Sequence, residues 1–80
     1  METPVKIMIV DDHQMFIDGI KSLLRKEKHL QVVSEYLCAE DALEQLKKDT
    51  VDIVVTDISM PGMSGIEFTR IIKSTYSNLK

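Results

Sequence analysis

Apolar residues follow two alternating patterns along this chain. Short apolar runs typical of β-strands are separated by longer stretches in which apolar residues recur every three or four positions, as in amphipathic helices. The strand pattern covers residues 5–10, 30–37 and 51–57, and the helical pattern covers residues 13–26, 39–48 and 64–75. The predicted order is β-α-β-α-β-α, which favours a parallel sheet with right-handed crossovers.

The predicted elements differ in their burial and in their ends. Ile53, Val54 and Val55 form an unbroken β-branched run, which is typical of a strand covered on both faces. Residues 30–37 alternate imperfectly between apolar and polar, as in an edge strand, and residues 76–80 are predicted to be a loop. The apolar face of the first helix is predicted to contain Phe16, Ile20, Leu23 and Leu24.

Length and composition restrict the class of protein. The 80 residues are enough for one domain. The 13 acidic and 10 basic residues give a net charge of −3, which argues against a nucleic-acid-binding surface. A single Cys excludes an intramolecular disulfide and fits a reducing cytoplasm. No apolar run approaches the roughly 20 residues of a membrane helix, and the first four residues do not resemble a signal peptide.

Acidic residues follow two of the predicted strands. Asp11 and Asp12 come directly after the first strand, and Asp57 ends the third. If these strands are parallel neighbours, three carboxylates meet at the sheet edge where ligands bind in open α/β folds. A cation would relieve their repulsion, and oxygen ligands of this kind suit Mg²⁺. The alternative is that Asp57 only begins the turn marked by Pro61 and Gly62.

Two motifs give the chain a family resemblance. One is Val10-Asp11-Asp12-His13 after the first strand, and the other is Asp57-Ile58-Ser59-Met60-Pro61-Gly62 after the third. In this combination the chain resembles the receiver domain of two-component response regulators, and most of all those joined to LuxR-type helix-turn-helix DNA-binding domains. The resemblance covers essentially all of the 80 residues.

The resemblance implies a flavodoxin-like (CheY-like) doubly wound parallel sheet. The family's strand order is 2-1-3-4-5, and this chain is expected to contain the first three strands in the order 2-1-3. Residues 1–80 are then the N-terminal portion of a single receiver domain, truncated before the fourth and fifth strands, the helices that follow them and the DNA-binding output domain.

The resemblance also implies roles at the acidic site. Asp57 is expected to accept a phosphoryl group from a sensor histidine kinase. Asp12, Asp57 and the backbone carbonyl of Ser59 are expected to bind Mg²⁺, with Asp11 acting through a bound water. The family's Ser or Thr and its Lys lie on the fourth and fifth strands, outside this chain. The domain is not expected to be an enzyme, and it is expected to contact DNA only through an output domain.

A third strand at the edge of the sheet has a structural consequence. Unpaired N–H and C=O groups on an apolar strand invite pairing with another chain. We therefore expect a homo-oligomer, formed through this edge or by exchange of elements, or else a loosely packed state.

Two other functions stay open at this point. Aspartate-nucleophile phosphatases have similar strand-end chemistry, but they carry a second acid two residues after the nucleophile, where this chain has Ser59. An interaction module with a vestigial acidic site is the other possibility. Among the remaining reactive side chains, His13 is expected to begin a helix, His29 to lie in a loop and Cys38 to pack near a helix start.

Overall fold

The computed structural model describes residues 3–76 and 79–80, and each element lies within the range predicted for it. The elements are β1 Val5–Val10, α1 Gln14–Leu24, β2 Leu30–Tyr36, α2 Ala39–Leu46, β3 Ile53–Thr56 and α3 Gly65–Thr75. In the predicted loop at 76–80, Ser77 and Asn78 lie outside the described residues, and the other three residues are neither helix nor strand.

The strands form one parallel sheet in the order β2-β1-β3. The central strand, β1, pairs with β2 along its whole length and with β3 from Ile7 to Val10. The α/β class and the strand order 2-1-3 are thus confirmed. Because β1 has a hydrogen-bonded neighbour on each side, it defines the middle of the molecule.

The sheet separates two apolar cores. Since side chains alternate across a strand, Ile7 and Ile9 pack with α1, whereas Met8 and Val10 pack with α2 and α3. The smaller core contains Ile7, Ile9 and Ile17. The larger core contains Met8, Val10, Ala39, Ala42, Leu46, Val51, Met60, Phe68, Ile72 and Leu79. The strand covered on both faces is therefore β1.

The apolar run of β3 is less buried than its sequence predicts. Ile53 and Val54 are half-buried, and Val55 is 37% exposed. The prediction of full burial is wrong for this strand because β3 lies at the edge of the sheet.

The outer edge of β3 is nevertheless hydrogen-bonded. The N–H of Val54 donates to the carbonyl of Lys80 (2.7 Å), and the N–H of Lys80 donates to the carbonyl of Asp52 (3.1 Å).

This pair of bonds is that of a single parallel bridge. The expectation of an unpaired edge is therefore corrected at these positions. Leu79, beside the bridge, is 5% exposed and belongs to the larger core. The end of the described chain thus belongs to the fold.

The apolar face of α1 is only partly buried. Ile17 is 1% exposed and packs with Ile20 and Leu24 against the sheet. Phe16 and Leu23, predicted to lie on the same face, are 57% and 76% exposed. The helix is rotated about its axis so that the middle of its buried face lies at Ile17, and Phe16 and Leu23 point away from the sheet.

Two glycines lie in contrasting surroundings. A Cβ on Gly65, at the start of α3, would lie 1.7 Å from the carbonyl oxygen of Asp57, and the N–H of Gly65 donates to the carbonyl of Ile58 at 2.7 Å. Around Gly19, in α1, no described atom lies within 4 Å of the equivalent Cβ position. Packing therefore requires a glycine at the first position only.

We expect Gly65→Ala to lower the free energy of unfolding by about 3 kcal/mol or more, because the clash is with backbone and no side chain can move to relieve it. Gly19→Ala is the matched control. It should raise the free energy of unfolding by about 0.5–1 kcal/mol, since Ala is favoured over Gly in a helix interior. Urea unfolding measures both changes, and equal midpoints for the two variants would contradict the contact.

Glu35 connects β2 to α1. Its carboxylate accepts hydrogen bonds from Lys21 Nζ and from Gln14 Nε2, the latter at 2.9 Å. The Lys21 bond, and after it the Gln14 bond, lowers the pKa of Glu35 below its ordinary value of 4.5. Such a carboxylate stabilises the fold above its ordinary pKa. This stabilisation is lost as the pH falls through the folded-state value.

We expect Glu35→Gln to reduce stability near neutral pH and to make stability less sensitive to acid. The measurement is the urea midpoint of both chains at about pH 6.5 and about pH 3.5, which lie above and below the ordinary pKa of 4.5. Glu27→Gln, which changes an exposed carboxylate just after α1, is the control. A difference between Glu35→Gln and the parent chain that stays constant with pH would contradict the expected coupling.

Candidate functional site

The predicted acidic residues meet because their strands are adjacent and parallel. The sheet hydrogen bonds continue one residue beyond the strands: the N–H of Asp57 donates to the carbonyl of Val10 (2.9 Å), and the N–H of Asp11 donates to that of Tyr36 (3.0 Å). Four atoms lie within 4.8 Å of one another: a ring nitrogen of His13 and one carboxylate oxygen each from Asp11, Asp12 and Asp57. We call this group the acidic crevice.

The three carboxylates of the acidic crevice have different surroundings. Asp11 is 3% exposed, and its Oδ1 accepts the backbone N–H of His13 at 2.9 Å. Asp57 is half-buried, and its Oδ1 accepts the N–H of Ile58 at 2.8 Å. Asp12 Oδ1 is buried and accepts no hydrogen bond of good geometry from the described residues, although His13 Nδ1 lies 3.0 Å away. The fold therefore holds two carboxylates by backbone donors and leaves a buried oxygen of the third without a well-formed hydrogen bond.

This donor set fits a hard divalent cation. A buried carboxylate oxygen without a well-formed hydrogen bond is unfavourable, and a cation in the crevice would satisfy it. The three Asp side chains offer oxygens, which are the ligands that Mg²⁺ prefers. The one nitrogen in the group, on His13, lies on a side chain that is 69% exposed. Such a side chain can leave the crevice without disturbing either core.

His13 is the residue that sequence reasoning missed. The structure confirms that it precedes α1, where it is the N-cap, but its side chain makes no capping bond. Its Nδ1 lies 3.0 Å from Asp11 Oδ1, 3.0 Å from Asp12 Oδ1 and 3.9 Å from Asp57 Oδ2. The bond to Asp11, followed by the charge of Asp12, raises the pKa of His13 above its ordinary value. The only signal in the sequence was its position next to the acidic pair.

The loop after β3 is hydrogen-bonded to α2 and leads directly into α3. Glu40 of α2 accepts the N–H of Met63 through Oε2 at 3.1 Å, and Gly62 has a φ of +79°, a conformation that favours glycine. The predicted N-cap of α3 is confirmed, since Ser64 Oγ accepts the N–H of Glu67 at 3.2 Å. Ser59 lies in the exposed segment of this loop, two residues after Asp57.

The other reactive side chains lie outside the crevice. His29 is exposed in the loop before β2, where its carbonyl accepts the N–H of Val5 at 2.8 Å. Cys38 is a half-buried free thiol that precedes α2 and makes no side-chain capping bond. Neither residue is placed to act with the carboxylates.

The fold is an open parallel α/β sheet, and its acidic side chains lie beyond the carboxyl ends of two neighbouring strands. Domains of this class bind their ligands at that edge of the sheet. The chain belongs to the response regulator receiver domain family, which residues 7–80 match. Receiver domains of this family bind Mg²⁺ at an acidic site and are generally signalling modules without enzymatic activity.

Related proteins share both sequence and fold. Response regulator UvrY of Escherichia coli (strain K12) is 38% identical over 76 residues, which are 95% of this chain and 35% of that protein. The transcriptional regulatory protein DegU of Brevibacillus brevis is 37% identical over 79 residues, covering 99% of this chain and 34% of that protein. The chain thus spans about a third of the length of these relatives.

Solved structures of RcsB superpose closely. The RcsB response regulator of Salmonella typhimurium matches with a TM-score of 0.92 and 28% identity, covering 99% of this chain and 41% of that one. The isolated REC domain of RcsB with the phosphomimetic BeF3- also has a TM-score of 0.92 at 28% identity, covering 98% of this chain and 59% of that one.

None of the helices in the described residues is long and apolar enough to cross a membrane.

We expect Asp12→Asn to raise the free energy of unfolding in the absence of divalent cations. The change removes one of three neighbouring like charges, and the gain should be on the order of 1 kcal/mol. Asp52→Asn is the control, because Asp52 Oδ2 accepts the N–H of Lys6 at 2.8 Å and has a structural role.

Asp52→Asn should lower the free energy of unfolding by about 0.5 kcal/mol or more, because a neutral amide oxygen is a weaker acceptor than a carboxylate. Chemical unfolding in the presence of a chelator measures both variants. A loss of stability in both would contradict the view that the crevice is electrostatically strained.

Proposed function

We propose that this chain is a phosphoacceptor module in which Asp57 takes a phosphoryl group from a sensor histidine kinase. Asp12, Asp57 and the backbone carbonyl of Ser59 would hold Mg²⁺, with Asp11 acting through a bound water. The observation that carries the proposal is the convergence of three carboxylates within 4.8 Å at the carboxyl ends of β1 and β3, with one buried oxygen lacking a well-formed hydrogen bond.

The two oxygens of Asp57 are suited to different tasks. Oδ1 accepts the N–H of Ile58 at 2.8 Å, which fixes the plane of the carboxylate. Oδ2 faces the crevice and is the nucleophile. Its bond to phosphorus forms as the phosphorus–nitrogen bond of the kinase phosphohistidine breaks, and the electron pair leaves with the imidazole nitrogen. Bound Mg²⁺ supplies positive charge that offsets the negative charge of the phosphoryl oxygens.

The partners in this proposal follow from that chemistry. The donor is a sensor histidine kinase, and in the full-length protein the phosphorylated domain regulates transcription through an attached output domain that contacts DNA. With its net charge of −3 the chain itself is poorly suited to bind DNA. The domain is a stoichiometric acceptor rather than an enzyme, and Ser59 supplies no second acid for a phosphatase reaction. Its place is the cytoplasm.

We propose in addition that the chain associates with itself through the outer edge of β3 or by exchange of elements. The Lys80 bridge occupies Asp52 and Val54 of this edge. Thr56, the last residue of β3, lies beyond the bridge and makes no backbone bond to the described residues outside the pairing with β1, so a second copy could pair with it.

We expect Mg²⁺ to produce saturable NMR shifts at the amides of Asp12, Asp57 and Ser59. In Asp57→Asn the affinity should fall about tenfold or more, because a charged ligand is lost. Asp49→Asn, on the exposed segment after α2, is the control and should leave the affinity unchanged. The absence of saturable shifts would reject the metal site and favour an interaction module with a vestigial crevice. Light scattering on the same samples tests self-association.

A further inference from the structure

The ring of His13 lies in the space between the carboxylates. Nδ1 is 3.0 Å from Asp12 Oδ1 and 3.9 Å from Asp57 Oδ2, the oxygens that face the crevice. It is also 3.0 Å from Asp11 Oδ1, which accepts the backbone N–H of the same histidine. One side chain therefore contacts all three acidic residues at once.

Polar contacts, and little packing, hold the ring in this position. The His13 side chain is 69% exposed, whereas Asp11, its hydrogen-bond acceptor, is almost completely buried. A side chain this exposed gains little from apolar contact. As the N-cap of α1, His13 would also be free to turn towards solvent, since it makes no side-chain capping bond. The carboxylates are thus what keeps the ring in the crevice.

The ring and a cation need the same oxygens. Mg²⁺ binds its ligands at about 2.0–2.1 Å in an octahedral shell that keeps several waters. With Nδ1 3.0 Å from both Asp11 Oδ1 and Asp12 Oδ1, the ring occupies the space between these oxygens that the cation and its waters would need. The ring also lies on the approach to Asp57 Oδ2, the oxygen to which the proposed function assigns the phosphoryl group.

We propose that His13 fills the crevice of the metal-free domain and is displaced from it when a divalent cation binds. The inference rests on the proposed function for the identity of the metal ligands. It adds that the apparent affinity for Mg²⁺ is partly set by the contacts that His13 gives up. His13 is therefore a positioning residue, which competes with the metal and does not participate in the phosphoryl transfer itself.

The chain is well suited to a direct test, because it contains two histidines. Titration of the full chain with MgCl₂, followed by NMR, reports the rings of His13 and His29 separately from the backbone amides. The ring signals of His13 should shift with the same half-saturation as the amides of Asp57 and Ile58. The ring of His29, which lies in the loop before β2, should not respond.

A pair of variants gives the second readout. His13→Ser removes the ring and places a favoured residue at the N-cap, so that α1 still begins correctly. It should bind Mg²⁺ about 3- to 10-fold more tightly than the parent chain, the factor expected for the loss of one competing hydrogen bond. His29→Ala should leave the affinity unchanged.

The outcomes separate the two proposals. Saturable shifts at the Asp57 amide, with an unmoved His13 ring or with unchanged or weaker binding in His13→Ser, would overturn the role of His13 alone. If the parent chain shows no saturable shifts at Asp12 and Asp57, the proposed function fails and the inference fails with it. Tighter binding in His13→Ser, together with a Mg²⁺-dependent His13 ring, would support both.

Discussion

The register between β1 and β3 is the constraint on which the rest of the structure depends. A shift by one residue would turn the side chains of β3 to the opposite face and carry Asp57 away from Asp11 and Asp12. The pairing is fastened at both ends. At the start, Asp52 donates its N–H to the carbonyl of Lys6 and accepts the Lys6 N–H through Oδ2; at the end, Asp57 donates to Val10. The crevice is thus built by backbone bonds before any ligand is present.

These bonds hold together groups that repel one another. Two of the carboxylates accept backbone N–H donors, and a buried oxygen of the third accepts no hydrogen bond of good geometry from the described residues. A fold selected only for stability would not place three like charges here. The ring of His13 contacts all three carboxylates, and its exposure makes it replaceable. The close approach of the carboxylates and the exposure of His13 suit a site that binds a cation reversibly.

The sequence was sufficient for the fold and for the acidic residues, because both are local signals. Strand and helix periodicity located all six elements, and a parallel order brings the two strand ends together. What it could not provide depends on tertiary placement. The burial of Ile53–Val55 was overestimated because a β-branched run does not report its position in the sheet. Phe16 is exposed because the rotation of α1 about its axis is decided by packing at Ile17.

The site residues show the same limit. The two acidic motifs identified Asp11, Asp12 and Asp57, whereas the contacts of His13 with them depend on a side-chain direction that no spacing encodes. The contact of Glu40 with Met63 joins residues 23 positions apart, and the local sequence pattern does not indicate it. Such contacts require the three-dimensional structure.

Gly65 shows how the crevice is connected to the rest of the domain. The backbone of Asp57 lies so close to the start of α3 that even a Cβ is excluded, and the N–H of Gly65 bonds to Ile58. A displacement of the Asp57 backbone must therefore move α3 or break that bond. The segment between Ser59 and Met63 is connected to α2 through the side chain of Glu40, which can adjust by rotation. The Asp57 backbone is therefore in direct contact with the start of α3, whereas the bond between the loop and α2 is made by a side chain.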